Sequence, residues 1–296
     1  MTPCVSVVIP TKDRLRYLQQ VLPTFFSQPE VREVVVVVDG STDGTQAFLA
    51  DLAHDEPRLV VLDNGPNRGI PFTKNRGVNA ATSAYTFVAE DDLELTPGFF
   101  ATLLAHLEAS EADVMCGRNI FRYDRETADE AIARVDQLTV PMVDRRLVEV
   151  ETGVRLADDT VLPIIAAPML GRTEVFQKVG FDEQYKVNFW REETDFQFSA
   201  QEAGYVLASC PHATCFNFII EHDRGGVHAT IGFTRTKWVI KNNWRFLNKH
   251  HAFIAQHFDV GNRHLYIVRF AISKFATQLF NYAVSTKKRL LPGRTG

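Results

Sequence analysis

Cysteine is scarce in this sequence. The 296 residues contain four cysteines (Cys4, Cys116, Cys210 and Cys215) with no CxxC pair, which excludes a disulfide-dense scaffold and fits a reducing compartment. No apolar run approaches the ~20 residues needed to span a bilayer. Met1 to Cys4 leads directly into a strand-like segment, without a basic leader or an apolar signal core. Positive charge is in slight deficit, with 32 Lys and Arg against 36 Asp and Glu and a net charge of -4. That balance argues against the broad basic footprint of a nucleic-acid binder. Internal repeats and low-complexity linkers are also absent. What remains is ordinary globular composition, 45% hydrophobic and 23% charged, which excludes disorder, collagen and coiled coil. The expectation is a cytoplasmic, soluble α/β protein.

The first half alternates strand, polar loop and helix. Val5 to Ile9 reads as a short strand stopped by Pro10, and Val34 to Val38 is a run of five valines. Such β-branched runs suit a parallel sheet covered on both faces. Leu59 to Leu62, Tyr85 to Ala89 and Val114 to Cys116 repeat the signal, with helical patterns at Leu15 to Phe26, Thr45 to Ala53, Phe72 to Ala81 and Pro97 to Glu108. This order implies an open sheet with right-handed crossovers, which places ligands at the carboxyl ends of its strands. The segments there are polar: Pro10-Thr11-Lys12-Asp13-Arg14, Asp39 to Thr45, and Glu90-Asp91-Asp92. From Gly226 onward the sequence becomes helical and basic-aromatic, ending in Lys287-Lys288-Arg289.

Each cluster supports a chemical and a structural reading. Asp39 at a strand mouth fits an acceptor for a base N–H, while Ser41, Thr42 or Asp43 fits a helix cap. The turn is neither GxGxxG nor a phosphate loop ending in Gly-Lys-Ser, which excludes dehydrogenases and P-loop enzymes on their own motifs. Glu90-Asp91-Asp92 suits Mg²⁺ or Mn²⁺ held by one or two carboxylates and substrate phosphates, or an acidic loop in solvent. Strand alternation puts Glu90 and Asp92 on one side and Asp91 on the other. Glu192, Glu193 and Asp195 fit either catalysis or the positive end of a helix.

Together these segments resemble a family 2 glycosyltransferase. The resemblance rests on Val5 to Thr11, the Asp39-to-Thr45 turn, Asn67-Arg68-Gly69, Lys74-Asn75-Arg76-Gly77, Phe87 to Asp92, Val179 to Glu183 and Glu192 to Asp195, in that order, over residues 5 to 225. It implies a GT-A fold at 1–225, with a nucleotide-sugar half (1–118) and an acceptor half (119–225), followed by a helical extension at 226–296. It also implies metal-dependent transfer, with inversion, from a nucleotide-sugar donor to an acceptor hydroxyl on a glycan, a lipid-linked molecule or a small molecule.

Carried over, Asp39 matches the acid that reads the base, usually uracil. Pro10, Thr11, Asp13, Arg14, Asn67, Lys74, Glu90 and Asp91 fall in the nucleotide-sugar segments, and Asp92 matches the metal ligand. Glu193 matches the catalytic base, with Glu192 as competitor and Asp195 in support. Where many relatives place a metal-binding histidine the sequence has Asn217, so His222 is the substitute expected to hold the metal, with His212 and His228 as alternatives. Arg172 and Trp190 are the acceptor-side candidates. Val268, Ile272, Phe275, Leu279 and Tyr282 form one apolar helical stripe, fit for a membrane surface, a homodimer seam or packing on the core. Rival functions are a retaining transferase, a sugar nucleotidyltransferase and a catalytically silent nucleotide-sugar-binding module.

Overall fold

The computed structural model describes residues 4–219 and 232–290. The chain runs β1 (Val5–Thr11), α1 (Leu15–Phe26), β2 (Val31–Val38), α2 (Thr45–Asp55), β3 (Leu59–Asp63), α3 (Ile70–Ala80), β4 (Tyr85–Val88), β5 (Leu93–Leu95) and α4 (Phe99–Ala109). It continues through β6 (Val114–Tyr123), α5 (Ala128–Val135), β7 (Val143–Asp144), β8 (Glu149–Val150), β9 (Thr160–Val161), β10 (Met169–Arg172), α6 (Thr173–Val179), α7 (Glu192–Glu202) and β11 (Leu207–Ile219). Three helices follow: α8 (Gly232–Lys249), α9 (His251–His257) and α10 (Arg263–Leu290).

The described strands form one nine-stranded mixed sheet in the order β3-β2-β1-β4-β10-β6-β11-β5, with β9 on β11, plus the small β7-β8 ribbon. The first four strands are parallel, as the valine runs imply. Val34 to Val38 are all fully buried because α1 and α2 cover one face and α3 the other, so no residue in the run meets water. Helix α3 lies very close to the sheet: a Cβ on Gly77 would stand 2.3 Å from the Val8 side chain. From β10 onward the sheet is mixed, with β10 antiparallel to both β4 and β6.

Pro10 does not stop the first strand. It pairs with Val37 inside β1, and its nitrogen faces the β4 side, where pairing has already ended at Val8–Val88. No ladder bond is lost, so proline is tolerated at that position.

Chain order reverses between β1 and β4. The carboxyl ends of β1, β2 and β4 therefore open a crevice at the switch point. Helix α7 and the loop before it close the far side.

Candidate active site

A cleft of about 1000 Å³ opens at these strand ends, lined by Pro10, Thr11, Arg14, Asp39, Asn67, Lys74, the three acids 90–92, Trp190, Glu192 and Glu193. Chain segments more than a hundred residues apart in sequence thus meet in one cavity.

Asp39 organises one wall. Its Oδ1 accepts hydrogen bonds from Asn64 Nδ2 (2.9 Å) and the Arg68 N–H (2.7 Å), and its Oδ2 accepts from the Gly69 N–H at 2.9 Å. The carboxylate fixes the 67–69 loop and still has lone pairs toward the cleft. Gly69 is held at φ +93°, and a Cβ there would stand 2.9 Å from the Phe189 ring. Only glycine lets that ring close over the loop. Asp13 has a different task. Its Oδ1 receives the Thr42 N–H at 2.6 Å and its own N–H binds Ser41 Oγ, so it braces the turn after β2 behind the cleft wall. Asp43 caps α2 through Thr45 and also receives the Leu15 N–H.

The acidic triplet lies just past the end of β4, in a turn rather than a strand. The division by alternation nevertheless appears. Asn217 Nδ2 donates to Glu90 Oε2 (2.8 Å) and to Asp92 Oδ1 (3.0 Å). Asp91 turns the other way, accepting from Thr11 Oγ1 at 2.8 Å and lying 2.7 Å from Arg14 Nε. The buried Arg14 guanidinium also reaches Asp92 and stacks on the Tyr17 ring.

Burial, together with the charges of Glu193 and Asp92, pushes the Glu90 carboxyl well above the ordinary range. Asn217 Oδ1 is buried without a hydrogen-bond partner among the described residues. A set of hard oxygen donors with repelling charge and an unsatisfied carbonyl fits a divalent cation of the Mg²⁺ or Mn²⁺ type. The position that the resemblance marks as a departure, Asn217, is therefore where the two acids converge. His222 and His228 lie outside the described residues; His212 is exposed on another part of β11.

Opposite the triplet, the buried Lys74 ammonium reaches Glu192 Oε1 and Glu193 Oε1, each at 2.6 Å. Burial opposes the Lys74 charge, but the two carboxylates outweigh it and hold the ammonium above its ordinary range. Burial likewise pushes Glu192 up to about 8 against the pull of Lys74, with Glu193 adding repulsion. Glu193 is the accessible member, its side chain 31% exposed against 6% for Glu192.

These acids open α7, and the approach to them is strained. Val187, Phe189 and Arg191 have φ of +68°, +51° and +76°, a conformation unfavourable for non-glycine residues and worst for a β-branched one. Surrounding contacts hold it. Arg191 Nε donates to Asn243 Oδ1 at 2.9 Å, and its other nitrogens bind the Leu147 and Val148 carbonyls.

Besides Asp13, two expected site residues lie away from the cleft. Asp195 is buried behind α7, where it accepts from Tyr185 Oη (2.9 Å) and Lys249 Nζ (2.6 Å) and lies 3.0 Å from His250 Nε2. At ~100° per residue it lies about 200° around the helix from Glu193, so it anchors α7 to α8 and α9. Arg172 pairs with Tyr85 at the amino end of β4, because β10 runs antiparallel, and this puts it at the opposite edge from the cleft. Trp190 does line the cleft, with Lys274 of α10 above its ring. Phe189, Lys186 and Arg235 also line the cavity; they stand in segments with no readable motif.

The fold places the chain among GT-A proteins. The structure of GalNAc-T7 with UDP, GalNAc and Mn²⁺ superposes with a TM-score of 0.66 at 13% identity, over 83% of this chain and 48% of that one. The mannosyltransferase PcManGT from Pyrobaculum calidifontis, in complex with GDP-Man and Mn²⁺, superposes at 0.61 and 16% identity, over 99% and 82%. The family model for Glycosyl transferase family 2 matches residues 6–180, and the chain belongs to that family. Among curated relatives, glycosyltransferase GlyG of Streptococcus pneumoniae serotype 4 (strain ATCC BAA-334 / TIGR4) is 27% identical over 125 residues, 42% of this chain and 41% of its own length. The uncharacterized glycosyltransferase YaiP of Escherichia coli (strain K12) is 26% identical over 206 residues, 69% and 49% of the two chains. The matches thus span less than half of either relative.

Proposed function

We propose that the protein is an inverting glycosyltransferase that moves a sugar from a nucleotide-sugar, with UDP the expected carrier, to an acceptor hydroxyl. The carrying observation is that Glu193, the accessible acid of the Lys74-bound pair, lies in one cleft with Glu90 and Asp92, which Asn217 bridges from β11. Residues 1–118 form the donor half in this reading and 119–225 the acceptor half.

Asp39 and the Thr11 loop hold the nucleoside, and Asn67 lines the cleft beside them. Asp92, Glu90 and Asn217 are the residues that would hold Mg²⁺ or Mn²⁺. Bound there, the cation supplies neutralisation of charge on the leaving nucleoside diphosphate. Glu193 takes the proton from the acceptor hydroxyl as that oxygen attacks the anomeric carbon from the face opposite the leaving group. A positioned base of this kind contributes typically ~10²–10⁴-fold. Lys74 keeps Glu193 aimed, and Trp190 lines the cleft on the acceptor side.

The test is turnover of nucleotide-sugars with product analysis by NMR. Inverted anomeric configuration with release of nucleoside diphosphate supports the reading. Retention, or release of pyrophosphate, assigns the cleft to a retaining transferase or a nucleotidyltransferase. Donor binding without turnover makes it a silent module.

The reading extends to location. Leu265, Val268, Ile272, Phe275 and Leu279 repeat at steps of three and four along α10 and are 41–64% exposed, while Lys274 on another face packs over Trp190 and Phe270. Residues 232–290 hold 11 Lys or Arg against one acid, Asp259. Like charge disfavours a second copy on this face and favours an anionic membrane surface, with α10 lying in the interface. Among the described residues no helix is long and apolar enough to cross a membrane. Co-sedimentation with vesicles containing anionic lipid, lost in Ile272→Asp, supports this contact. Equal binding to neutral vesicles, or a dimer in sedimentation velocity that Ile272→Asp dissociates, overturns it.

A further inference from the structure

We propose that His106, Asp159 and Cys210 form a second metal site, distinct from the cleft, for a divalent transition metal of the zinc class.

The three side chains come from separate elements and meet at one point. His106 stands in the last turn of α4, Asp159 just before β9, and Cys210 on β11. Their ligand atoms all lie within 4.8 Å of one another, and His106 Nδ1 is 2.7 Å from Asp159 Oδ2. The Cys210 sulfur thus lies within 4.8 Å of both the imidazole nitrogen and the carboxylate oxygen. The His212 ring stacks on that of His106 at 4.8 Å between centroids.

Local structure explains the convergence. Pairing of β11 with β6 is interrupted between Ser209 and Thr214, and such irregularities re-aim side chains out of the sheet pattern. Cys210 and His212 lie inside this interruption and meet the end of α4. The carbonyl end of that helix carries partial negative charge, which favours a cation.

The donor set selects the metal class. Thiolate and imidazole nitrogen suit a borderline-soft ion, whereas oxygen-only sets such as that in the cleft suit Mg²⁺ or Mn²⁺. A tetrahedral zinc site needs ligand atoms about 3.3–3.7 Å apart, from bond lengths of about 2.0–2.3 Å. The cluster approaches this by opening the His106–Asp159 contact slightly and drawing in the sulfur. Binding replaces the thiol proton: Cys–SH and M²⁺ give Cys–S–M⁺ and H⁺. Because binding displaces the thiol proton, affinity rises with pH. Cys210 is fully buried while His106 and Asp159 are about one-third exposed, which leaves the metal a path from solvent. None of the three residues lines the cleft.

The experiment is a Co²⁺ titration of chelator-treated full-length protein, followed by absorption spectroscopy. The expected result is a near-ultraviolet thiolate-to-cobalt charge-transfer band saturating at one equivalent per chain and competed away by Zn²⁺. Cys210→Ser loses the band. His106→Gln, which replaces a partly exposed side chain and keeps the fold, weakens Co²⁺ binding by about tenfold or more while leaving transferase turnover unchanged. Binding at the oxygen ligands of the cleft gives no thiolate band, so the two sites are read separately. Absence of the band in the wild type, its persistence in Cys210→Ser, or unchanged affinity in His106→Gln overturns the assignment.

Discussion

Lys74 Nζ lies 2.6 Å from a carboxylate oxygen of Glu192 and 2.6 Å from one of Glu193. One ammonium on α3 therefore ties the parallel half of the sheet to the start of α7. Breaking a buried pair by removing one partner typically destabilises by about 3–5 kcal/mol. Lys74→Met should lower stability by that order in chemical denaturation. Lys74→Arg retains the charge and should recover part of the loss. Unchanged stability in Lys74→Met would show that the pair does not hold α7.

Glu193→Gln removes the proposed base while keeping size and the hydrogen bond to Lys74. The expected outcome is turnover lower by about 10²–10⁴-fold, with donor affinity within about twofold of wild type. The same loss in Glu192→Gln with full activity in Glu193→Gln would transfer the role to the buried acid.

The raised carboxyls make stability depend on pH with a definite sign. Glu90 lies well above its ordinary value and Glu192 at about 8, so between about pH 4.5 and 8 the folded state holds more protons than the unfolded one. Stability contributed by these groups is fully present below the unfolded value and falls as pH rises through that window. Tm of the metal-free protein should drop from pH 5 to pH 8, by about 2–4 °C for each kcal/mol. Glu90→Gln should flatten the slope. A Tm that rises over the same range in wild type would contradict the assignment.

Asp195 separates support from chemistry. It accepts from Tyr185 and Lys249 and meets His250, itself fully buried and 2.9 Å from Glu202 through its other nitrogen. Asp195→Asn should cost about 2–4 kcal/mol of stability. At temperatures well below its lowered Tm, KM for the donor should remain near wild type. A loss of donor binding with intact stability would return Asp195 to the cleft.

The parallel half of the fold was legible because parallel strands buried on both faces leave unbroken valine runs, and because polar residues at strand ends mark the crevice. Asp39, Glu90 and Asp92 stood at those ends, and Glu192 and Glu193 at the start of a helix. Other features depended on contacts that a sequence does not display. Asn217 completes the acidic cluster from a strand 125 residues past Asp92. Arg172 sits at the wrong end because the direction of β10 was not encoded in its composition. Asp195 differs from Glu193 only in its angle around a helix. Pro10 stayed inside its strand because the neighbouring strand had already ended. The positive φ angles at Val187, Phe189 and Arg191 are imposed by packing against a local preference, so no residue type announced them.

The most direct measurement is nucleotide-dependent thermal stabilisation with and without Mn²⁺, in wild type and Asp92→Ala. The account predicts that one family of nucleoside diphosphates, with UDP expected, stabilises the wild type by about 2.7 kcal/mol at a hundred times its Kd. It also predicts that this gain requires Mn²⁺ and disappears in Asp92→Ala. Equal stabilisation without metal or in the variant would contradict the metal assignment, and no stabilisation by any nucleotide would contradict the donor site itself.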